Sequence, residues 1–145
     1  MNQTTLNLID NKPLRRNSSA RRSGVATVEF AICLPILTLL VFGSIEAASF
    51  IFLKQSLQVA AYEGIREAIR NGSTNTTSAG RSMAILNSRF ILDANVAFPN
   101  GNVAAVRRGE QVIIEVSAPT RTNSPLAGQW IANRTLTARL VMLKE

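Results

Sequence analysis

The chain has 145 residues and a mass of 15.7 kDa, which is enough for one small domain and too little for two independent cores. It contains no histidine and one cysteine, so serine–histidine and cysteine–histidine catalysis, the common zinc sites and an internal disulfide are excluded. We therefore expect no enzymatic activity and no metal or other cofactor.

The net charge of +7 is concentrated near the N-terminus. Five of the sixteen basic residues lie in the first 22 positions, against one acid, Asp10. A basic segment directly before an apolar stretch is how membrane proteins mark their cytoplasmic end. No aromatic residue is interleaved with these arginines, which makes a nucleic-acid-binding arm the less favoured interpretation.

An apolar stretch follows the polar leader. Residues 1–23 show no periodicity and are predicted to be disordered. Residues 30–45 carry no charge, and the apolar character continues past Glu46 as far as Leu53. Because about 20 apolar residues suffice to cross the hydrocarbon core of a bilayer, residues 25–53 are predicted to form a transmembrane helix.

Two alternatives compete with a membrane span. A cleaved secretory signal would end at small residues such as 47–49, but Glu46 lies in that cleavage zone and the apolar character resumes after it. A buried helix of a soluble protein would need a larger surrounding core than this chain can supply.

The remainder, residues 54–145, is predicted to form a small α+β head. The long helix continues to a stop signal at Asn71 and Gly72. Its apolar side after Lys54 is predicted to consist of Val59, Tyr62, Ile65 and Ile69. A second helix is predicted at 79–92, with an apolar side of Met83, Leu86 and Phe90.

Strand patterns follow the second helix. Residues 103–106 and 111–118 predict a β-hairpin around the turn 107–110, and residues 135–143 alternate in the same way. We expect a small antiparallel sheet of three or four strands, covered by the projecting part of the long helix.

The junction between the leader and the apolar helix carries the most informative residues. Glu29, followed by Phe30, lies inside the start of the helix, where an unpaired carboxylate costs about 2.5 to 3.5 kcal/mol at mid-membrane and less near the interface. If the chain were cut after Gly24, the new amino group of Val25 would be a cation four residues from Glu29 or beside it in a staggered neighbouring subunit. Glu29 would then set the register of side-by-side helices.

Several blocks of residues match a family pattern. They run from 24–31 through Leu34-Pro35 and 39–43 to Glu46, and continue at 60–66. In these blocks the sequence resembles the TadE-like family, pilin-like proteins of the tight-adherence (Tad, or Flp) pilus system that are related to type IV pilins. The match covers the N-terminal helix, and the C-terminal sheet is compatible with it.

The resemblance implies a pilin-like fold and a non-enzymatic pseudopilin in the bacterial inner membrane, with a cytoplasmic leader, 1–24, and a periplasmic head. It implies that a prepilin peptidase cleaves between Gly24 and Val25. The implied partners are the lipid bilayer, other pilin-like subunits, and pilus or secretion assembly proteins. Two alternatives remain. The protein could be an uncleaved single-pass anchor or interaction protein that keeps its basic cytoplasmic N-terminus, or a secreted module released near Ser49.

Four residues of the apolar helix are candidates for packing against other helices. Pro35 removes one backbone donor and is either simply tolerated or the place of a functional bend. Gly43 and Ala47 form a pair of small residues that lets another helix approach closely. Glu46 is expected in the outer part of the bilayer, where it snorkels to the interface, is protonated, or contacts a partner helix.

Tyr62, Gly64 and Arg66 lie in the last matching block. Their residue types favour a role in folding. We expect Tyr62 to pack under the sheet, Gly64 to permit the close approach of a strand, and Arg66 to be solvated or paired with Glu63.

Overall fold

The computed structural model describes residues 19–125 and 134–145, with their side chains from residue 24 onward. Up to residue 18 the predicted disordered leader lies outside the described residues. From Ser19 onward the chain is helical, so the prediction of an irregular leader is wrong for residues 19–23. The chain divides into two compact units, one ending at Leu39 and the other beginning at Leu40.

Three helices and three strands make up the described residues. The long helix, α1, spans Ser19–Ala68, α2 spans Asn75–Ser88, and the single turn α3 spans Thr120–Asn123. The strands are β1 (Asn95–Ala97), β2 (Gln111–Pro119) and β3 (Thr135–Leu143). They form an antiparallel sheet in the order β1-β2-β3. The predicted α+β class is confirmed.

The core of the second unit is formed by one face of the sheet and the C-terminal part of α1. Along β2 the buried side chains alternate with more exposed ones, and they are Val112, Ile114, Val116 and Ala118. Leu53, Leu57 and Ile65 of α1 belong to the same hydrophobic cluster. The expected cover of the sheet by the continuing long helix is therefore confirmed.

The third strand was predicted correctly in extent. Residues 135–143 form β3, and Ala138 is buried while Arg139 is exposed. The side chains that pack on or belong to the core are Leu136, Ala138, Leu140 and Met142. Alternation of apolar and polar residues was a sufficient signal here because one face of the sheet is packed and the other is open.

The predicted hairpin between 103–106 and 111–118 is wrong. Val103–Ala105 forms a turn of 3-10 helix, and the strand beside β2 on that side is β1. Asn102 accepts a hydrogen bond from the Ala104 amide at 3.0 Å, and Asn75 accepts one from the Val103 amide at 2.7 Å. These side chains satisfy the backbone donors locally, so the segment needs no strand partner.

The buried face of α1 also differs from the predicted one. Val59 and Tyr62 are 37% and 49% exposed, whereas Ile65 is buried. The other buried positions of this stretch include several small residues, namely Ser56, Ala60, Ala61, Gly64 and Ala68. Small side chains let a second helix approach closely. The face of α1 that is buried is therefore the one with small residues, and not the one with the larger apolar residues Val59 and Tyr62.

The second helix lies four residues earlier in the chain than predicted. A capping box starts it, because the Thr74 side chain accepts from the Thr77 amide and the Thr77 hydroxyl accepts from the Thr74 amide. Leu86 is buried as expected, but Phe90 lies beyond the helix end and is 87% exposed.

Two serines join α2 to α1. The Ser78 hydroxyl donates to the carbonyl of Gly64 at 2.6 Å, and the Ser82 hydroxyl donates to the carbonyl of Ala60 at 2.9 Å. Both serines are fully buried, so each hydroxyl needs the partner that it has. A Cβ atom on Gly64 would overlap Ser82 Oγ and lie 2.7 Å from Ile114 Cδ1.

We therefore expect Gly64→Ala to destabilise the head by about 1–3 kcal/mol, because the added methyl group forces apart α1, α2 and Ile114 of β2. Gly80→Ala is the matched control, since Gly80 is an exposed residue of α2 with nothing within 4 Å of an added Cβ. That change should stabilise the protein by about 0.5–1 kcal/mol. Thermal unfolding of the full chain in detergent, followed by circular dichroism, measures both. Equal melting temperatures for the two variants would contradict the packing described here.

Candidate functional site

The apolar part of α1 presents its whole surface to the outside. Every side chain from residue 24 to 45 is exposed. The helix is long and apolar enough to cross a membrane, with a most apolar window of mean hydropathy 2.3 of which 0% is buried. A core helix of a soluble protein would bury such a surface. One apolar N-terminal helix therefore fits a membrane anchor.

The hydroxyl groups on this helix are bonded within it. Thr38 donates to the carbonyl of Leu34 at 2.8 Å, and Ser44 donates to the carbonyl of Leu40 at 2.6 Å. Such back-bonding satisfies a hydroxyl where no water is available. Pro35 lies inside α1, which continues through it. The hydroxyl groups of Thr38 and Ser44 therefore need no hydrogen-bond partner outside the helix.

The predicted cleavage and register residues all lie on exposed turns of α1. Val25 is 59% and Phe30 61% exposed, and nothing lies within 4 Å of a Cβ built on Gly24. The bond between Gly24 and Val25 is inside the helix. Glu29 is exposed and, among the residues whose side chains are described, has no ion-pair partner.

Gly43 and Ala47 are both exposed, and nothing lies within 4 Å of a Cβ built on Gly43. They are one helical turn apart and share a face of α1. This leaves a shallow, open place on the helix where a second backbone has room to approach.

Glu46 is the first buried residue of the apolar stretch. It is 7% exposed, and Ser124, which directly follows α3, donates a hydrogen bond from its hydroxyl to Glu46 Oε1. The carboxylate therefore belongs to the folding of this chain, whatever further contacts it makes. An acid inside an apolar stretch was visible in the sequence, but its partner 78 positions later was not.

The last family-pattern block is divided between core and surface. Gly64 is buried, and the atoms closest to an added Cβ include Ser82 of α2 and a side chain of β2. Tyr62 does not pack under the sheet, since it is 49% exposed. Arg66 is exposed, and Glu63 pairs with Arg81 of α2 at 3.2 Å instead of with Arg66.

A charged surface surrounds Arg66. Glu67 and Arg70 form a second ion pair at 3.1 Å, and the two pairs line a shallow cavity of about 290 Å³ together with Arg66. Exposed pairs of this kind contribute little to stability. Among the described residues no group of His, Cys, Asp and Glu could hold a metal ion.

Sequence reasoning missed the serines that bind α2 to α1 and the groove beside the start of the head. That groove is lined by residues of α1, of the α2 terminus and of α3, among them Phe52, Phe90 and Ser124. The sequence did contain a signal for the contact between α2 and α1. It has two serines four residues apart on α2, and small residues three and four apart on α1.

Comparison with curated proteins and with solved structures gave no match. A family model does match: it is described as TadE-like protein and aligns with residues 24–66. The match begins at the predicted cleavage glycine, covers the exposed apolar turns and Glu46, and ends at Arg66 on the charged surface. The resemblance of the N-terminal helix to the TadE-like family is thereby confirmed.

Proposed function

We propose that the protein is a pilin-like subunit, a pseudopilin, that takes part in assembling a tight-adherence pilus or a related secretion system. The observation that carries this proposal is the division of α1. Its residues 24–45 are exposed and apolar throughout, whereas the same helix from Leu53 onward forms one wall of a folded head. A membrane protein of this architecture offers a lipid-embedded helix for lateral association and a head for specific contacts.

Glu29 is the residue that would set the axial alignment of neighbouring helices. It is exposed and has no ion-pair partner among the described side chains, and it lies in the segment that we propose to be embedded in lipid. A cationic group supplied by a neighbour would remove most of the cost of a carboxylate in that position. After cleavage at Gly24, the amino terminus of Val25 is the cation of suitable position.

The proposed topology places the leader in the cytoplasm and the head in the periplasm, with α1 crossing the inner membrane. The excess of basic residues before Gly24 supports this orientation. The charged cluster around Arg66 and the exposed helix surface at Tyr62 would then be available to assembly proteins outside the membrane. No catalytic role is part of the proposal.

One observation favours a second candidate, an uncleaved single-pass anchor. The bond between Gly24 and Val25 lies within α1, and peptidases generally act on extended segments, so cleavage requires the first turns to unwind. In that case the basic leader would stay in place and attract anionic lipid or a cytoplasmic partner.

The mass of the protein purified from its native membrane separates these candidates. We expect it to lack the first 24 residues, with Val25 as N-terminal residue, and we expect Gly24→Val to leave the full-length chain. Gly43→Val, at an exposed glycine deeper in the same helix, is the control and should be processed normally. Wild-type protein that begins at Met1 or Asn2 would support the uncleaved anchor, and loss of about 49 residues would support the secreted module.

Glu29→Leu should abolish or strongly reduce piliation while the protein remains in the membrane. Leucine removes the carboxylate that sets the register of neighbouring subunits. It also makes membrane insertion more favourable, by at most about 2 kcal/mol at a position near the interface, so the amount of protein in the membrane should not fall. Counting pili by electron microscopy and quantifying membrane-bound protein on immunoblots measure the two effects separately.

Ile32→Leu is the matched control for Glu29→Leu. Ile32 lies one turn further along α1 and is 63% exposed, and the change preserves its apolar surface. It should leave piliation unchanged. Normal pili in the Glu29→Leu strain would show that this carboxylate does not set subunit register.

A further inference from the structure

Phe90 has a backbone conformation that an aromatic residue rarely adopts. Its φ is +56°, in the left-handed region. The amide of Ile91 donates to the carbonyl of Leu86 at 3.0 Å, and the amide of Phe90 donates to that of Asn87 at 3.1 Å. These two bonds define a Schellman motif, whose left-handed position is usually glycine. A bulky residue at this position is strained, which calls for a reason outside the helix cap.

Burial in the core does not offset the backbone strain at Phe90. The Phe90 side chain is 87% exposed, and Leu92, two residues later, is 57% exposed. Ile91, between them, is buried and belongs to the hydrophobic cluster. The chain thus buries one apolar residue and turns both of its apolar neighbours outward.

The segment that carries Phe90 and Leu92 is held firmly against α3. Asn123 accepts a hydrogen bond from the Leu92 amide at 2.8 Å and donates one to the Leu92 carbonyl at 2.9 Å. Phe90 also lines the groove that contains Phe52 of α1, and Phe52 is 48% exposed. Three exposed apolar side chains therefore lie around one rigid part of the head.

This surface lies at the end of the head that is nearest to the apolar turns of α1. In the second unit, residues 40–45 are uncharged and exposed, and Phe52 follows Ile45 by seven residues, or about 10 Å along the helix. The polar interface of a bilayer extends several ångströms beyond its hydrocarbon core. The groove that Phe52 shares with Phe90 also includes Ser49, about 6 Å beyond Ile45 along the helix. A helix that carries residues 40–45 in hydrocarbon therefore holds this part of the groove at interfacial depth, with Phe52 near the outer limit of the interface.

We propose that Phe90, Leu92 and Phe52 form a membrane-docking surface, by which the head rests in the interface of the lipid leaflet next to it. This proposal depends on the membrane anchor of the proposed function. Aromatic side chains are enriched at that depth in membrane proteins. The lipid environment supplies the burial that the core does not give to Phe90, and the docking restricts the tilt of the head on its helix.

The charges nearby are compatible with a lipid surface. The charged residues on the α2 terminus and on α3 are Arg89, Asp93 and Arg121, two cations and one anion. Arg89 is held by a hydrogen bond to the Ser56 hydroxyl at 3.3 Å, and Arg121 is exposed. With Glu46, which is bonded to Ser124 of the same groove, these groups are two cations and two anions, so no net charge opposes contact with a layer of lipid headgroups.

Quenching of a fluorescent label by nitroxide lipids tests the docking. The full chain is reconstituted in vesicles of phosphatidylcholine and phosphatidylglycerol, and an environment-sensitive dye is attached to one cysteine at a time. Native Cys33, in the apolar part of α1, reports the anchor. In a Cys33→Ser background, Phe90→Cys reports the docking surface, and Arg108→Cys, in the exposed turn at the far end of β2, is the control.

We expect shallow nitroxide lipids to quench the label at position 90 about twofold or more above the label at position 108, with a blue-shifted emission. Quenching at position 33 but equal, weak quenching at positions 90 and 108 would overturn the docking surface and leave the anchor intact. Absence of quenching at position 33 would remove the anchor and the inference with it. A blue shift at position 90 that is insensitive to nitroxide lipids and is lost on diluting the protein in lipid would assign the surface to a second copy, and would also overturn the proposal.

A second variant avoids loss of folding as an explanation. Phe90→Gly supplies the residue that the left-handed position favours, so the head should melt no earlier than the wild type. With the label on Leu92→Cys in the Cys33→Ser background, Phe90→Gly should lower quenching by shallow nitroxide lipids by about twofold. Val141→Ser, which removes an apolar side chain 46% exposed on β3, should not change it. Equal quenching in both variants would exclude Phe90 as a membrane contact.

Discussion

The structure depends on the packing of a single helix in two environments. From Leu53 to Ala68, α1 forms a wall of the hydrophobic core, and its small residues lie close enough to α2 for two buried serines to bond its carbonyl groups. From Gly24 to Ile45 every side chain of the same helix is exposed in the described part of the chain. The head therefore depends on the C-terminal part of this helix for one side of its core.

Burial of α1 side chains begins at Glu46, inside the stretch that was predicted to span the membrane. Glu46 is bonded to Ser124, and Leu53 is 1% exposed within the head. The residues from 46 to 53 are therefore shared between head contacts and exposed apolar side chains such as Ile51 and Phe52. The interfacial position that we propose for this stretch would account for both properties, and it would place the exposed Phe90 and Leu92 in the same layer.

Features that depend on local periodicity were predictable from the sequence, and features that depend on distant partners were not. The alternation of Val112, Ile114 and Val116 identified β2 because one face of the sheet is packed and the other is open. The helix face at Val59 and Tyr62 was misassigned because close approach of α2 selects small residues, a requirement that hydropathy does not register. Residues 103–106 resemble a strand in composition, but amide groups bonded to Asn102 and Asn75 hold Val103–Ala105 in a turn. Of the candidate residues, Glu29 and Gly43 are conspicuous in the sequence, and the structure shows only that both are exposed. The bond between Glu46 and Ser124 joins residues too far apart for any local pattern to reveal.

The accessibility of single cysteines in intact spheroplasts tests whether α1 crosses the membrane and carries the head on its outer side. Native Cys33 and an Arg108→Cys variant in a Cys33→Ser background are treated with a membrane-impermeant maleimide. The account predicts rapid labelling at position 108, no labelling at position 33, and labelling at position 33 only after the membrane is dissolved in denaturing detergent. Labelling of Cys33 in intact spheroplasts, or protection of position 108 until the cells are lysed, would contradict it.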